Sequence, residues 1–209
     1  MMSSDAIDCM SVREDSIVGH SIRRVIDWAV EELRAGYRHL LIMGESGSGK
    51  TTALILIMKR LNNMGIPAMY INLYSKLGLG GPQVVNCPSV PNPRVLLVDD
   101  TDVAFMAPKA TWAFIKDLLD FPGSIVFAIT TPLLVGSDVE FLEPLVKVLR
   151  GSVKIRIEYS DVEIREFARS LGIEVTQSFF KTPGMLVRYF KNGRVRGSAG
   201  LLADRDIVI

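Results

Sequence analysis

Apolar residues along the chain gather into short runs at residues 40–43, 68–73, 95–98 and 124–129, which predict strands, and residues 153–157 predict a fifth strand. The runs have the length of a buried strand. Between the runs the sequence predicts helices at residues 21–33, 51–61, 109–119 and 140–149, the first with its apolar positions on one face. Strands that alternate with helices predict an α/β fold, in which a five-stranded parallel sheet forms the middle of a three-layer αβα sandwich.

After residue 159 the alternation stops and two helices follow each other. Ser160 and Glu163 have the spacing of a capping box, and Thr182-Pro183 opens a second helix that ends near residue 193. We therefore expect a main domain at residues 17–158 and a small, reduced helical lid with a tail at residues 159–209. Residues 1–16 are expected to be a loose leader, residues 75–93 a loop, and residues 206–209 have the composition of a short strand.

The composition narrows the class of protein. A chain of 209 residues with 48% hydrophobic residues can form a sizeable core, which excludes wholesale disorder. The net charge of +1 provides no broad field for nucleic acid or membranes, although it leaves room for a local patch. Cys9 and Cys87 lack metal-ligand spacing, so we expect neither a disulfide framework nor a zinc site. With no signal peptide and no membrane span in the sequence, the expectation is a cytoplasmic protein.

The most specific motif is GESGSGKT at residues 44–51, which has the pattern G-x-x-x-x-G-K-[ST] of a phosphate-binding P-loop. A predicted strand precedes it and a predicted helix follows it, which is the setting the motif requires. Glycines let backbone N–H groups approach phosphate oxygens, and the helix directs its positive end at the same anion. Lys50 can reach the terminal phosphates of a nucleotide, and the Thr51 hydroxyl can ligate Mg²⁺.

A second signal is VLLVDD at residues 95–100, where two carboxylates follow a buried strand. Ligands of open α/β sheets bind at the carboxyl ends of strands. We expect Asp99 to hold Mg²⁺ opposite Thr51, and Asp100 to orient or deprotonate the attacking water. Thr130 and Thr131 end the next strand, where a hydroxyl could touch the γ-phosphate; alternation leaves open which of the two faces it.

The order of these motifs resembles that of the AAA+ ATPases over residues 17–190. SIVGH is similar to their adenine-contacting box, GESGSGKTT to Walker A, VLLVDD to Walker B and IVFAITT to the sensor-1 strand. The Asp-Asp pair, in place of the commoner Asp-Glu, looks most like the DnaA/DnaC-type initiator and loader branch. DDTDVAF is also similar to archaeal origin-recognition ATPases.

The resemblance implies roles for further residues. Arg150 stands where a finger would enter a neighbouring subunit's site, although a cation ending a helix is an equal alternative. Arg188 is a sensor-2 candidate one turn beyond the family position, and a solvated helix arginine is the alternative. The residues expected to bind nucleotide are Val18, Gly19, His20, Gly44, Glu45, Ser46, Gly47, Ser48, Gly49, Lys50, Thr51, Thr52 and Arg188; the expected catalytic group is Lys50, Asp100, Thr130 and Arg150.

The expectation from motifs and resemblance together is a P-loop NTPase that binds and hydrolyses ATP with Mg²⁺. It would act as an oligomer, or with related AAA+ subunits, and couple hydrolysis to remodelling or loading of a macromolecular partner. DNA, or a protein bound to DNA in replication or recombination, is the leading partner by resemblance. Two alternatives stay open: a nucleotide-operated switch with little hydrolysis, and a small nucleotide or metabolite kinase.

Overall fold

A five-stranded parallel sheet forms the centre of the molecule. The structure is a computed structural model that describes residues 7–15, 17–78, 84–131, 139–175 and 180–191. The sheet strands are β2 (His39–Gly44), β3 (Ala68–Asn72), β5 (Val95–Asp99), β6 (Ser124–Thr130) and β7 (Val153–Ile157), and their order across the sheet is β3-β5-β6-β2-β7. The predicted fold class is confirmed, and each strand lies within a residue or two of its predicted run.

Helices connect the strands and cover both faces. They are α1 (His20–Arg34), α2 (Lys50–Asn63), α3 (Leu73–Lys76), α4 (Val103–Met106), α5 (Pro108–Leu119), α6 (Glu143–Gly151), α7 (Asp161–Ser170) and α8 (Pro183–Lys191), with a 3₁₀ turn at Val139–Leu142. Two boundaries differ from the sequence prediction. Leu73 starts α3 because the side chain of Asn72 caps that turn by accepting from the Ser75 N–H at 3.0 Å. The first turn of the helix predicted at 140–149 is 3₁₀.

Alternate residues of β2, β3, β5 and β6 enter two separate cores. In β6, Val126 and Ala128 belong to the core with α1 and α2, whereas Ile125, Phe127 and Ile129 belong to the core with α5 and α6. All five side chains are buried. Strands buried on both faces explain why the sequence shows continuous apolar runs rather than alternation.

Three expectations about the first half of the chain are wrong: the loose leader, the loop at residues 75–93 and the absence of a disulfide. The short strands β1 (Ile7–Asp8) and β4 (Val84–Val85) pair in parallel, and a disulfide joins Cys9 to Cys87. Cys9 and Val12 are fully buried, so residues 7–15 are not a loose leader, and residues 75–93 are not wholly loop. Strands of two residues carry no readable periodicity, and cysteines 78 positions apart carry no spacing signal.

The last two helices form a small cluster of their own. Ile164 and Phe167 of α7 pack with Leu186 and Val187 of α8, and Val18 from the segment before α1 packs against them. The predicted strand at 206–209 lies outside the described residues. Within the ranges described, no helix combines the length and apolar character needed to cross a membrane.

Candidate functional site

The carboxyl ends of three neighbouring strands bring most of the predicted site residues together. Gly44 ends β2, Asp99 ends β5 and Thr130 ends β6, and β6 lies between the other two. Gly44 is directly paired with Thr130, and the Thr131 N–H donates to the Gly44 carbonyl at 3.1 Å. The motifs at residues 44–51 and 95–100 therefore share one edge of the sheet.

The loop between β2 and α2 is a tight glycine cradle. Gly47 and Gly49 have φ of 76° and 87°, a region that glycine enters at little cost. At Gly44 an added Cβ would lie 2.4 Å from Ser48 Oγ, so a larger residue would force the Ser48 side chain to move. Helix α2 begins at Lys50 with no side-chain cap, which leaves its positive N-terminal end facing the cradle.

Lys50 lies across this loop. Its Nζ donates to the carbonyls of Gly44 at 3.0 Å and Glu45 at 3.1 Å. Burial lowers the pKa of Lys50, and the nearby carboxylates of Asp99, Asp102 and Asp100 oppose that shift. The ammonium is thus held at the cradle by carbonyl groups on one side and a cluster of negative charge on the other.

Asp99 is fully buried and is held by three donors. Thr51 Oγ1 and Tyr70 Oη donate to its Oδ2 at 2.6 and 2.7 Å, and the Asp100 N–H donates to its Oδ1 at 3.0 Å. Burial raises the pKa of Asp99, while the hydrogen bonds from Thr51 and Tyr70 favour the charged form. No motif pointed to Tyr70, since its position depends on β3 lying beside β5.

Asp100 has a left-handed backbone conformation, and its carboxylate accepts a hydrogen bond from Asn72. Its φ is 53°, in the left-handed region that aspartate tolerates better than most residues. Asn72 Nδ2 donates to its Oδ2 at 2.8 Å. Burial and the neighbouring Asp99 raise the pKa of Asp100 to about 7. Asn72, which the sequence analysis also missed, ends β3 opposite Asp99.

The residues of this edge fit a nucleotide and a divalent cation. The hydroxyl oxygens of Ser48 and Thr52 are buried and make no hydrogen bond with the described residues, although buried hydroxyls are normally paired. Both stand at the start of α2, where a phosphate group would receive backbone and side-chain donors. Thr51 and Asp99 offer hard oxygen ligands, which suit Mg²⁺ together with phosphate oxygens.

The lid touches the cradle directly. The Gly184 N–H donates to the Gly47 carbonyl at 3.0 Å, and Thr182 Oγ1 donates to the Ser46 carbonyl at 3.1 Å. Arg188 Nη2 reaches Ser46 Oγ at 3.3 Å, so the sensor-2 candidate does lie at the loop. Backbone contact between α8 and the loop couples the position of the lid to the shape of the cradle.

The adenine-box candidate lies under the other lid helix. Glu163 of α7 accepts from the Ser21 N–H at 2.7 Å and from Ser21 Oγ at 3.0 Å, and it also accepts from the Ser160 N–H at 3.0 Å. Despite its burial, these hydrogen bonds lower the pKa of Glu163. One carboxylate thereby caps the first turns of both α1 and α7.

The three residues of the box have different surroundings. Gly19 has φ of 115°, and a Cβ there would lie 3.3 Å from the Tyr159 ring. Tyr159 Oη in turn donates to the Ser48 carbonyl at 2.9 Å. Val18 packs against the lid core, and His20 is exposed. The box, the cradle and the lid thus meet around Tyr159.

Arg150 is not brought to this site. It lies in the last turn of α6, is exposed, and precedes β7, so it stands near the sheet edge where strands begin. The predicted role of Arg150 in a neighbouring subunit's site stays a prediction.

Comparison with known proteins relates this geometry to solved structures. No protein-family model and no curated protein matches the chain. The structure of AMPPCP-bound DnaA from Aquifex aeolicus is similar with a TM-score of 0.57 and 17% identity, covering 92% of this chain and 69% of that chain. The replication initiator DnaA bound to AMPPCP and single-stranded DNA matches with a TM-score of 0.56, 18% identity and coverage of 92% and 68%. The fold is DnaA-like.

A DNA replication initiation factor is similar as well, with a TM-score of 0.53, 18% identity and coverage of 84% of this chain and 61% of that chain. The chain thus spans roughly two thirds of the length of these three proteins. The expected resemblance to a DnaA-like AAA+ ATPase is confirmed at the level of the fold. Because the identities are low, the fold is what the likeness to DnaA establishes.

Proposed function

We propose that this chain is a Mg²⁺-dependent ATPase of the AAA+ type. The observation that carries the proposal is the Thr51–Asp99 hydrogen bond of 2.6 Å, which joins the first turn of the P-loop helix to a fully buried carboxylate at the strand edge. Two unpaired buried hydroxyls beside it, on Ser48 and Thr52, support a ligand rich in acceptor oxygens. A nucleoside triphosphate has that chemistry.

Each residue of the edge has a role in this proposal. The loop amides and Lys50 neutralise phosphate charge, and Thr51 and Asp99 hold Mg²⁺, which when bound offsets charge on the β- and γ-oxygens. Asp100 orients the attacking water and accepts its proton, because its carboxylate follows Asp99 directly at the strand end. Thr130 stands beside Gly44 at the end of β6, and we assign its hydroxyl to contact with the terminal phosphate.

The resemblance to the AAA+ ATPases extends the proposal to the oligomeric state of the chain. Arg150 is exposed and lies away from its own chain's site, which suits a finger that completes the site of a neighbouring subunit. The active form would then be an oligomer. The DnaA with a similar fold was solved with AMPPCP and single-stranded DNA, so we propose DNA, or a protein bound to it, as the remodelled partner in a replication step.

One observation favours a second function, a switch that binds ATP and hydrolyses it slowly. Asn72 donates to the Asp100 carboxylate at 2.8 Å and holds it against β3. A carboxylate engaged in this way must leave Asn72 before it can orient water. The ATPase and the switch share the same nucleotide site and differ in turnover.

Nucleotide binding and turnover test the two functions separately. Lys50→Ala should weaken ATP binding in calorimetry by roughly 10- to 150-fold, because a charge-assisted contact is worth about 1.5–3 kcal/mol. Lys116→Ala, at an exposed position of α5, is the matched control and should bind ATP as the wild type does. Equal affinity of the Lys50 and Lys116 variants would refute the nucleotide site.

Turnover is measured as phosphate release over a range of protein concentrations. Asp100→Asn should retain ATP binding and lose hydrolysis, and specific activity should rise with concentration if a neighbouring Arg150 is needed. Tight binding without phosphate release at any concentration would favour the switch over the ATPase. Full activity of Asp100→Asn would remove Asp100 from its assigned role.

A further inference from the structure

The buried side chain of Tyr70 lies between the core of the sheet and Asp99. It is 9% exposed and packs in the core with α1 and α2. Tyr70 pairs in register with Leu97, two residues before Asp99, so its ring spans about 7 Å along the strand. Its Oη thereby comes within 2.7 Å of Asp99 Oδ2. A phenylalanine would fill nearly the same core volume, so packing alone does not require the hydroxyl.

The Tyr70 hydroxyl affects which oxygen of the Asp99 carboxylate is left free. An ionised carboxylate offers about four acceptor positions, two on each oxygen. Thr51 Oγ1 at 2.6 Å and Tyr70 Oη at 2.7 Å both donate to Oδ2, and the Asp100 N–H donates to Oδ1 at 3.0 Å. Counted over the part of the chain that the structure describes, both positions on Oδ2 are used, and one position on Oδ1 remains. Asp99 therefore presents a single acceptor position to a cation.

The number of free positions sets how Asp99 can coordinate a metal ion. Bidentate coordination needs a free position on both oxygens of one carboxylate, and the two donors on Oδ2 prevent it. Mg²⁺ demands near-octahedral geometry and is held through one or two carboxylates, waters and substrate phosphates. Ca²⁺ takes about 6–8 oxygen ligands in a flexible arrangement and accepts bidentate carboxylates. A carboxylate limited to one position on Oδ1 thus suits Mg²⁺ better than Ca²⁺.

Tyr70 provides the donor that closes the second position on Asp99 Oδ2. Its ring is packed in the core, so the direction of the hydroxyl is fixed by the fold rather than by a ligand. Thr51, by contrast, lies in the first turn of α2 at the cradle and is itself an expected metal ligand. Without the Tyr70 hydroxyl, Oδ2 would regain a free position, and the carboxylate would be free to offer both oxygens to one ion.

We propose that Tyr70 is a positioning residue that makes the metal site selective for Mg²⁺ over Ca²⁺, by restricting Asp99 to coordination through one oxygen. The inference rests on the proposed function, because it concerns the cation that accompanies the nucleotide. Tyr70 acts through Asp99 and is not itself a metal ligand in this proposal. Partners that orient a ligating carboxylate in this way influence metal affinity nearly as strongly as the ligands do.

The test measures binding of AMPPCP, an ATP analogue that resists hydrolysis, by calorimetry in EDTA, in MgCl₂ and in CaCl₂. Dividing the affinity in each metal by the affinity in EDTA gives the gain due to that cation. The wild type should gain about tenfold more from Mg²⁺ than from Ca²⁺, since Mg²⁺ fits single-oxygen coordination. In Tyr70→Phe the Mg²⁺ gain should fall about tenfold or more. The Ca²⁺ gain should change by less than about threefold, because Ca²⁺ tolerates either mode of coordination.

Tyr74→Phe is the matched control. It removes the same hydroxyl group from a nearby tyrosine, whose Oη contacts the Met106 sulfur at 3.9 Å instead of Asp99. This control should keep the wild-type ratio of the Mg²⁺ gain to the Ca²⁺ gain. Melting temperatures check that both variants are folded. If Tyr70 had a packing role only, Tyr70→Phe would lower the affinities in EDTA, MgCl₂ and CaCl₂ by the same factor, and that result would overturn the proposal.

The remaining outcomes separate the role of Tyr70 from the proposed ATPase. Wild-type gains from both cations in Tyr70→Phe would overturn the role of Tyr70 and leave the nucleotide site intact. If that variant does not fold, the wild type alone decides, because equal gains from Mg²⁺ and Ca²⁺ would show that the site is not selective. Absence of AMPPCP binding by the wild type in all three buffers would refute the proposed function, and the selectivity with it.

Discussion

Replacing Gly184 by alanine should separate the lid from the P-loop. Gly184 is the second residue of α8, and its N–H donates to the Gly47 carbonyl at 3.0 Å. An added Cβ would lie 2.6 Å from Gly47 Cα and 3.0 Å from Gly47 O. Carbon atoms pack at about 3.5–4.0 Å, so α8 must withdraw by about 1 Å. Both neighbours are backbone atoms and no side-chain rotation relieves the contact.

The change in the free energy of unfolding caused by Gly184→Ala is the sum of opposing effects. Overpacking of this kind costs about 1–3 kcal/mol, and weakening the Gly184–Gly47 hydrogen bond adds about 1 kcal/mol. Alanine regains about 0.5–1 kcal/mol because it favours the helix over glycine. The net loss is about 2 kcal/mol, which for a chain of this size lowers the melting temperature by about 4–8 °C.

The assay combines thermal melting with hydrogen exchange of α7 and α8. Gly151→Ala is the matched control, because Gly151 ends α6 and nothing lies within 4 Å of an added Cβ. We expect the Gly184 variant to melt earlier and to exchange lid amides faster, whereas the Gly151 variant should resemble the wild type. Hydrogen exchange is included because the lid can open without global unfolding.

If both alanine variants melt together and exchange their lid amides at the wild-type rate, the argument from backbone contact fails. Faster exchange in α8 alone, with α7 unchanged, would show that the Glu163 connection holds α7 independently of the loop contact.

Two further predictions concern the other connections of the fold. Reduction of the Cys9–Cys87 bond, or the double alanine variant, should lower stability by about 2–4 kcal/mol because the bond closes a loop of 78 positions; equal urea midpoints for oxidised and reduced protein would contradict this. Glu163→Gln should lower stability at pH 7 by about 1–2 kcal/mol by removing charge-assisted hydrogen bonds. Since the folded-state pKa of Glu163 is depressed below 4.5, this deficit is present above pH about 4.5 and disappears as the pH falls through the folded pKa; a deficit that persists at lower pH would contradict the role of the charge.

The sequence predicted the layers of this fold because β2, β3, β5 and β6 are buried on both faces. Runs such as 124–129 are continuous and end at a proline or glycine turn, which fixes their bounds closely. The order of the strands could not be predicted. The contacts of Tyr70 with Asp99 and of Asn72 with Asp100 could not be predicted either, because they exist only where β3 adjoins β5. The pairing of β1 with β4 was invisible because two residues have no period.

Part of the candidate site could be predicted from the sequence, and part could not. Thr51 and Asp99 were expected to face each other, since a motif and a strand end define both positions, and the structure places them 2.6 Å apart. The docking of the lid on the cradle could not be read from the chain. It depends on a glycine at 184 meeting a glycine at 47, which are far apart in sequence and unremarkable alone.

The left-handed backbone at Asp100, with φ of 53°, limits which acid this position accepts. Aspartate and asparagine enter that region more readily than longer side chains do. A glutamate, as in the commoner motif, has a longer side chain and adopts the left-handed backbone conformation less readily. Asparagine keeps the shape and removes only the charge. The choice of aspartate here is thus dictated by torsion angles as much as by chemistry, and lengthening the acid would disturb the turn it belongs to.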